Sequence, residues 1–255
     1  MNHLSLFTGA GGGELGAILN GWHTVGYVEW DDYCQRVLAQ RIRDGILPEA
    51  PIFSDVRAFI SEGYAEAYQG MVDVISAGFP CQPFSVAGQC RAEDDPRNMW
   101  PATIECLRII RPQYALLENV PGLLVQPYIR RIFGDLAAAG YDTAWKTVPA
   151  EILGAPIVRE RLFIVARADR SDGEAWVGNL LNRARKVQHG PDKERNEFWL
   201  QGPSPDIGVG NGLAGYLERV RAIGNGQVPA VVRTVWNLLM QPDSQVLDQN
   251  GGDDG

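Results

Sequence analysis

His3-Leu-Ser-Leu-Phe-Thr-Gly-Ala-Gly-Gly-Gly-Glu-Leu-Gly16 decides how the rest of the chain is read. Its first part, His3 to Phe7, is a short apolar run. A Gly-rich turn follows from Thr8 to Gly13, and then a helix-like stretch from Glu14 to Leu19. A second strand-like run at Thr24–Val28 ends in the acid Glu29. Strand, tight turn, helix and strand in that order open a doubly wound α/β fold.

Working outward, further apolar runs at Val72–Ser76, Tyr114–Leu117 and Leu162–Ala166 read as strands. Helical patterns at Asp32–Arg43, Trp100–Ile110 and Ile129–Ala139 lie between them. This alternation predicts a mostly parallel sheet with right-handed crossovers. After Ala166 the pattern weakens, and only Trp176–Arg185 looks helical before periodicity returns at Tyr216–Arg221 and Val228–Met240. A weakly patterned stretch of that length is too long for an ordinary loop and reads as a small inserted lobe. The expected organisation is a catalytic and cofactor-binding domain over 1–167 and a lobe over 168–221. A C-terminal helix over 222–241 returns to the domain, and 242–255 form a disordered tail rich in turn-forming and acidic residues.

Composition bounds the function classes. With 45% hydrophobic and 21% charged residues the chain reads as an ordinary globular protein. No apolar run approaches the roughly 20 residues a membrane helix needs, and a cytoplasmic location is expected. Cys34, Cys81, Cys90 and Cys106 form no C-x-x-C pair, and His3, His23 and His189 are scattered, which argues against a metal site or a disulfide framework. The net charge of -8 does not announce a nucleic-acid enzyme. Charge is uneven, however: Arg159 to Arg195 holds nine Lys/Arg against six Asp/Glu.

Two motifs carry chemistry. Glycines let backbone N–H groups approach a ligand, and a helix start favours an anion. Gly11-Gly-Gly13-Glu-Leu-Gly16 satisfies G-x-G-x-x-G, and Glu29 stands where an acid binds ribose hydroxyls. Alone, this turn fits binders of NAD, FAD or S-adenosylmethionine, or a tight turn that packs a helix closely on a strand. Trp30 is placed to cover an adenine face or to fill core. The second motif is Gly78-Phe-Pro-Cys-Gln-Pro-Phe-Ser85, at the end of a strand, where open α/β sheets gather catalytic groups. Two prolines stiffen the turn around Cys81 and make it a candidate nucleophile rather than a small buried hydrophobe.

Pro80-Cys81-Gln82 with Leu6-Phe-Thr-Gly-Ala-Gly-Gly12 upstream resembles the DNA cytosine-5 methyltransferase family. Further motifs follow in family order: Glu29-Trp30, Asp55-Val56, Glu118-Asn119-Val120, Arg159-Glu160-Arg161 and Gly224-Asn225-Gly226. Two positions depart from it. Ile157 stands where Gln is usual before the arginines, and Gly226-Gln227 stands where Ser or Ala followed by Val is commoner. A small change in how that last turn touches the cofactor or the catalytic loop is expected.

The resemblance implies a Rossmann-like, S-adenosylmethionine-dependent methyltransferase fold with a small inserted target-recognition lobe. It implies catalytic roles for Cys81, Glu118, Arg159 and Arg161. The cofactor would be held by Phe7, Gly9, Gly11, Gly12, Glu29, Trp30, Asp55, Val56, Pro80 and Asn225, and no metal is implied. The implied chemistry is addition of the Cys81 thiolate to carbon 6 of a flipped-out cytosine, with Glu118 at N3 and Arg161 at O2. Without the resemblance, Glu118 reads as a cap with a salt bridge and the arginines as a solvated edge strand.

Double-stranded DNA is the expected substrate, met by Phe79, Gln82, Ser85, Arg97, Arg183, Arg185 and Lys186. A lobe this short predicts a short or relaxed target site. The same chemistry on RNA, and a nicotinamide oxidoreductase built on the Gly-rich turn, are the alternatives. A monomer of prokaryotic or phage origin, paired with a cognate restriction endonuclease, completes the expectation.

Overall fold

The computed structural model describes residues 1–80, 97–153, 159–168 and 226–240. Seven strands form one sheet in the order β3-β2-β1-β4-β5-β7-β6. β1 (Asn2–Leu6), β2 (His23–Val28), β3 (Ile52–Phe53), β4 (Val74–Ala77) and β5 (Tyr114–Asn119) are parallel. β7 (Glu160–Arg167) runs antiparallel between β5 and β6 (Asp142–Pro149). From β1 the chain builds outward to β3, then crosses to β4 and builds the other way. The switch point therefore lies between β1 and β4, and the crevice at their carboxyl ends is where such sheets bind ligands.

Side-chain alternation sorts the two faces. Leu4, Leu6, Ile75, Ala77, Ala115, Leu117, Leu162 and Ile164 pack in one buried cluster beneath α3 (Val56–Ser61), α4 (Tyr64–Ala67), α5 (Trp100–Ile110) and α6 (Tyr128–Ala138). Val74, Leu116, Phe163 and Val165 face the other way, against α1 (Gly12–Leu19) and the last helix, α7 (Pro229–Met240). Glu118 and Arg161 share this second face, being two residues from Leu116 and Phe163. On the same side α2 (Asp32–Arg43), capped by Asp31 through the Cys34 N–H at 2.9 Å, covers Tyr27 with Leu38.

α7 docks on α1 across glycines. A Cβ on Gly16 would stand 2.6 Å from Val232 Cβ and 3.0 Å from the Pro229 carbonyl, and one on Gly12 would stand 2.3 Å from the Gln227 carbonyl. Trp22 and Trp236 close the seam edge to face, with ring centroids 4.6 Å apart. Gly12, Gly13 and Gly16 therefore allow close packing of α1 on α7 and its lead-in, where the sequence suggests packing of a helix on a strand. Beneath this face β1 carries polar residues. His3 is fully buried, its Nδ1 2.9 Å from Thr24 Oγ1 and its Nε2 2.7 Å from Ser76 Oγ. The Ser5 hydroxyl donates to Glu14 in the first turn of α1.

The structure differs from the sequence expectation in particulars. β6 was not anticipated, because this edge strand buries only Ala144 and Val148 while Trp145 stays exposed against Phe133. Pro149 ends it, where no ladder N–H is needed. The short elements β3, α3 and α4 were also missed. β5 runs two residues past the apolar run, because Glu118 and Asn119 continue the ladder opposite Phe163 and Leu162. The expected helix at Trp176–Arg185, the lobe over 168–221 beyond Ala168 and the tail over 242–255 lie outside the described residues.

Gly16→Ala would ordinarily gain about 1 kcal/mol of helix propensity; here the clash with Val232 should reverse the sign and cost about 1–3 kcal/mol by urea unfolding. Burial pushes the His3 imidazole down from 6.5 to about 3. The unfolded chain thus binds the extra proton, and the stabilisation present above pH 6.5 is lost as pH falls towards 3. The stability difference between wild type and His3→Gln should shrink across that window by up to about 1.4 kcal/mol per pH unit; a constant difference would contradict the neutral, buried assignment.

Candidate active site

The turn after β1 leaves the sheet through Phe7 and Gly9, with φ of 57° and 62°, and Gly11 at 91° caps α1. Glu29, at the end of β2, holds this turn: Oε2 accepts the Gly9 N–H at 2.5 Å and Oε1 the Asp31 N–H at 2.7 Å. Burial raises the Glu29 carboxyl above its usual range, and these backbone donors pull it back. Trp30, next in the chain, is 74% exposed. Asp55 caps α3 by accepting the Arg57 N–H at 2.8 Å, and Val56 is buried beside it. A Cβ on Gly9 would meet nothing within 4 Å, so the space above the turn is open. Open turn, carboxylate, exposed aromatic face and helix cap thus line the ends of three neighbouring strands. Of the expected cofactor residues, Gly12 lies with its Cβ side against the Gln227 carbonyl.

Across the switch point, Gly78-Phe79-Pro80 leaves β4. Phe79 is buried and tilted against Trp100, with centroids 5.4 Å apart. Asn119 Nδ2 donates to the Phe79 carbonyl at 3.1 Å, while its Oδ1 accepts the Val120 N–H at 2.8 Å. The backbone leading to Cys81 is thereby tied to the end of β5. Cys81, Gln82 and Ser85 lie outside the described residues, as do Ile157, Arg183, Arg185, Lys186 and Asn225. Arg97 is exposed just before Asn98, which pins the entry of α5 by donating to the Tyr128 hydroxyl at 2.8 Å.

Glu118 is 8% exposed, two residues past Leu116 on the α1–α7 face. The antiparallel register of β7 brings Arg161 to it, with Nε 2.9 Å from Oε1. At that distance Arg161 acts on the carboxyl through its charge first and through a side-chain hydrogen bond second. Burial raises the carboxyl, opposed by Arg161, then by Arg159 and by a hydrogen bond from Gln227. Arg159 itself donates to the Gly226 carbonyl at 2.6 Å. A small recess of about 10 Å³, room for about one water, lies here, lined by Glu118, Arg159, Arg161, Phe163 and Gln227 among others.

The sequence reading missed two contributors. Gln227 had a signal, the departure at Gly226-Gln227. Glu14 had none, since nothing in its spacing tells that Ser5 would meet it; burial pushes its carboxyl up to about 7. Among the described residues no group of three His, Cys, Asp or Glu is placed to hold a metal, and no helix is long and apolar enough to cross a membrane.

Residues 1–197 match the family model of the C-5 cytosine-specific DNA methylases. The chain is 30% identical over 216 residues to Type II methyltransferase M.AquIA of Picosynechococcus sp., covering 78% of this chain and 81% of that one. It is 33% identical to M.NgoMIV of Neisseria gonorrhoeae, covering 64% of this chain and 50% of that one. The crystal structure of a prophage-encoded E. coli protein, described as a DNA modification methyltransferase, superposes with a TM-score of 0.53 and 29% identity. That match covers 68% of this chain and 49% of the other, so the chain spans about half the length of several relatives it matches.

Of the four thiols, two are described. Cys34 and Cys106 are buried, and burial pushes both up to about 12, far from a reactive thiolate. An aromatic disulfide reagent at pH 8 should leave both unmodified in the native protein, so that native labelling reaches at most two of the four thiols released by denaturant. Rapid labelling of Cys34 or Cys106 in the native state would contradict their burial.

Proposed function

Since the chain belongs to the C-5 cytosine-specific DNA methylase family, whose methyl donor is S-adenosylmethionine, we propose that it methylates carbon 5 of cytosine in double-stranded DNA. The observation that carries this reading is the buried Glu118 carboxyl. It lies against Arg161 and Gln227, beside the segment that leads into Cys81. The fold is the Rossmann-like fold of S-adenosylmethionine-dependent methyltransferases.

The crevice fits that cofactor. Glu29 offers carboxylate oxygens to a ribose diol, Trp30 an uncovered face to adenine, and Asp55-Val56 a polar and an apolar edge to its rim. The open space above Gly9 leaves the backbone approachable. When bound, the cofactor supplies a methyl group made electrophilic by its cationic sulfur.

Carbon 5 of cytosine is a poor nucleophile, and the chain's own residues must raise its electron density. The Cys81 thiolate adds to carbon 6 as Glu118 gives a proton to N3, leaving the carbon 5 electron pair free to take the methyl group. Loss of the carbon 5 proton to a base then expels the thiolate, and the N3 proton returns to Glu118. A carboxyl raised by burial suits a proton donor near neutral pH. Arg161 donates to the cytosine O2, and Arg159 supports the negative charge nearby. The target base leaves the stack to reach these groups. Arg97, Arg183, Arg185 and Lys186 meet phosphates, and Phe79, Gln82 and Ser85 line the approach to the base. The lobe following Arg167 sets the target. The protein works as a cytoplasmic monomer beside a cognate endonuclease.

Bisulfite sequencing of plasmid DNA from cells expressing wild type, Cys81→Ala or Glu118→Gln tests the proposal. Wild type should protect cytosines within a short or relaxed site. Cys81→Ala should protect none, and Glu118→Gln should lose about 10²–10⁴-fold in rate. Identical maps in wild type and Cys81→Ala would end the reading.

A further inference from the structure

We infer that Gln227 is a positioning residue: its side-chain amide ties the carboxyl of Glu118 to the Gly-rich turn at the start of α1, so that the catalytic acid and the cofactor crevice are held in one register. The inference rests on the role proposed above for Glu118. Three contacts carry it. A Cβ on Gly78 would stand 3.2 Å from Glu118 Oε2 and 3.3 Å from Gln227 Nε2, so both atoms converge on one point beside the exit of β4. Arg161 Nε stands against Oε1 at 2.9 Å, and the Gln227 hydrogen bond reaches the carboxyl from the Oε2 side, where Nε2 lies. At its other end the Gln227 Oε1 sits 2.5 Å from where a Gly13 Cβ would be, and the Gln227 carbonyl is 2.3 Å from the Gly12 position. Glycine at 12 admits the Gln227 backbone, and glycine at 13 leaves its amide oxygen in place.

The chemistry of the amide explains the choice. An amide donor fixes Oε2 without adding charge, and it leaves Oε1 and the Arg161 guanidinium facing the recess. Among the described residues the charged groups facing Glu118 are Arg161 and Arg159, and residues 226–232 bring no titratable side chain of their own. A hydrogen bond to the ionised carboxyl favours ionisation, so Gln227 holds down a proton affinity that burial alone would raise further.

Gln227→Met keeps the length and volume of the side chain and removes the donor. In single-turnover methyl transfer to cytosine-containing duplex DNA at saturating S-adenosylmethionine, the variant should be about 10-fold slower near neutral pH. The alkaline limb of its pH–rate profile should move up by about one unit, the worth of one hydrogen bond to a charged group. S-adenosylmethionine affinity, measured by equilibrium binding, should change less than about 3-fold, because the ligand-facing atoms of the crevice are untouched. A wild-type pH profile in Gln227→Met, or a rate loss matched by loss of thermal stability with an unmoved alkaline limb, would overturn the inference. Glu118→Gln distinguishes the two levels of the argument. If it retains the wild-type rate, the role of Glu118 falls and this inference with it. If it is inactive while Gln227→Met keeps the wild-type profile, the inference alone falls.

Discussion

A carboxyl buried at the end of a strand has to be met by charge or by hydrogen-bond donors, and the molecule meets that demand at Glu118 through the reversed strand β7. Had β7 run parallel like its neighbours, its carboxyl end, and not Arg161 at its start, would lie beside Glu118. The antiparallel register pairs Glu118 with Phe163 and swings Arg161 onto the carboxyl's face at 2.9 Å. Because the carboxyl is buried, Arg161 offsets its desolvation, and removing the guanidinium would leave a buried charge less well met.

The same face carries a second polar system deeper in the sheet. His3 bridges β2 and β4 through Thr24 and Ser76, and Ser5 donates to Glu14. These are costly groups to bury, and each is matched to a partner from a neighbouring element. His3 and Ser5 alternate with Leu4 and Leu6, so one short strand is apolar towards α5 and polar towards α1. The polar side fixes how α1 sits on β1, and with it where the Gly-rich turn opens.

Much of this was legible in the sequence because the signals were local. The alternation of strands and helices up to Ala166, the acid at the end of β2 and the tripeptide around Cys81 are short-range patterns, and the fold and the family follow from them. What was not legible depended on distant residues meeting. The G-x-G-x-x-G run fits a ligand turn or close packing of a helix on a strand, but nothing local tells that residues more than 200 positions later lie on Gly12, Gly13 and Gly16. β6 escaped notice because an edge strand buries so little that its alternation is faint. Glu14 and Gln227 look like surface residues until Ser5 and Glu118 are seen beside them.

The glycine seam between α1 and α7 has a consequence for synthesis on the ribosome. Residues 12–16 are made more than 200 positions before residues 226–232, so the surface that receives α7, with Ala17 and Trp22, is left uncovered while the intervening chain is made. A nascent or truncated chain therefore presents apolar surface of the kind chaperones and proteases recognise. It also lacks the Gln227 side chain that hydrogen-bonds to Glu118, so that carboxyl gains its amide partner only once α7 has been made.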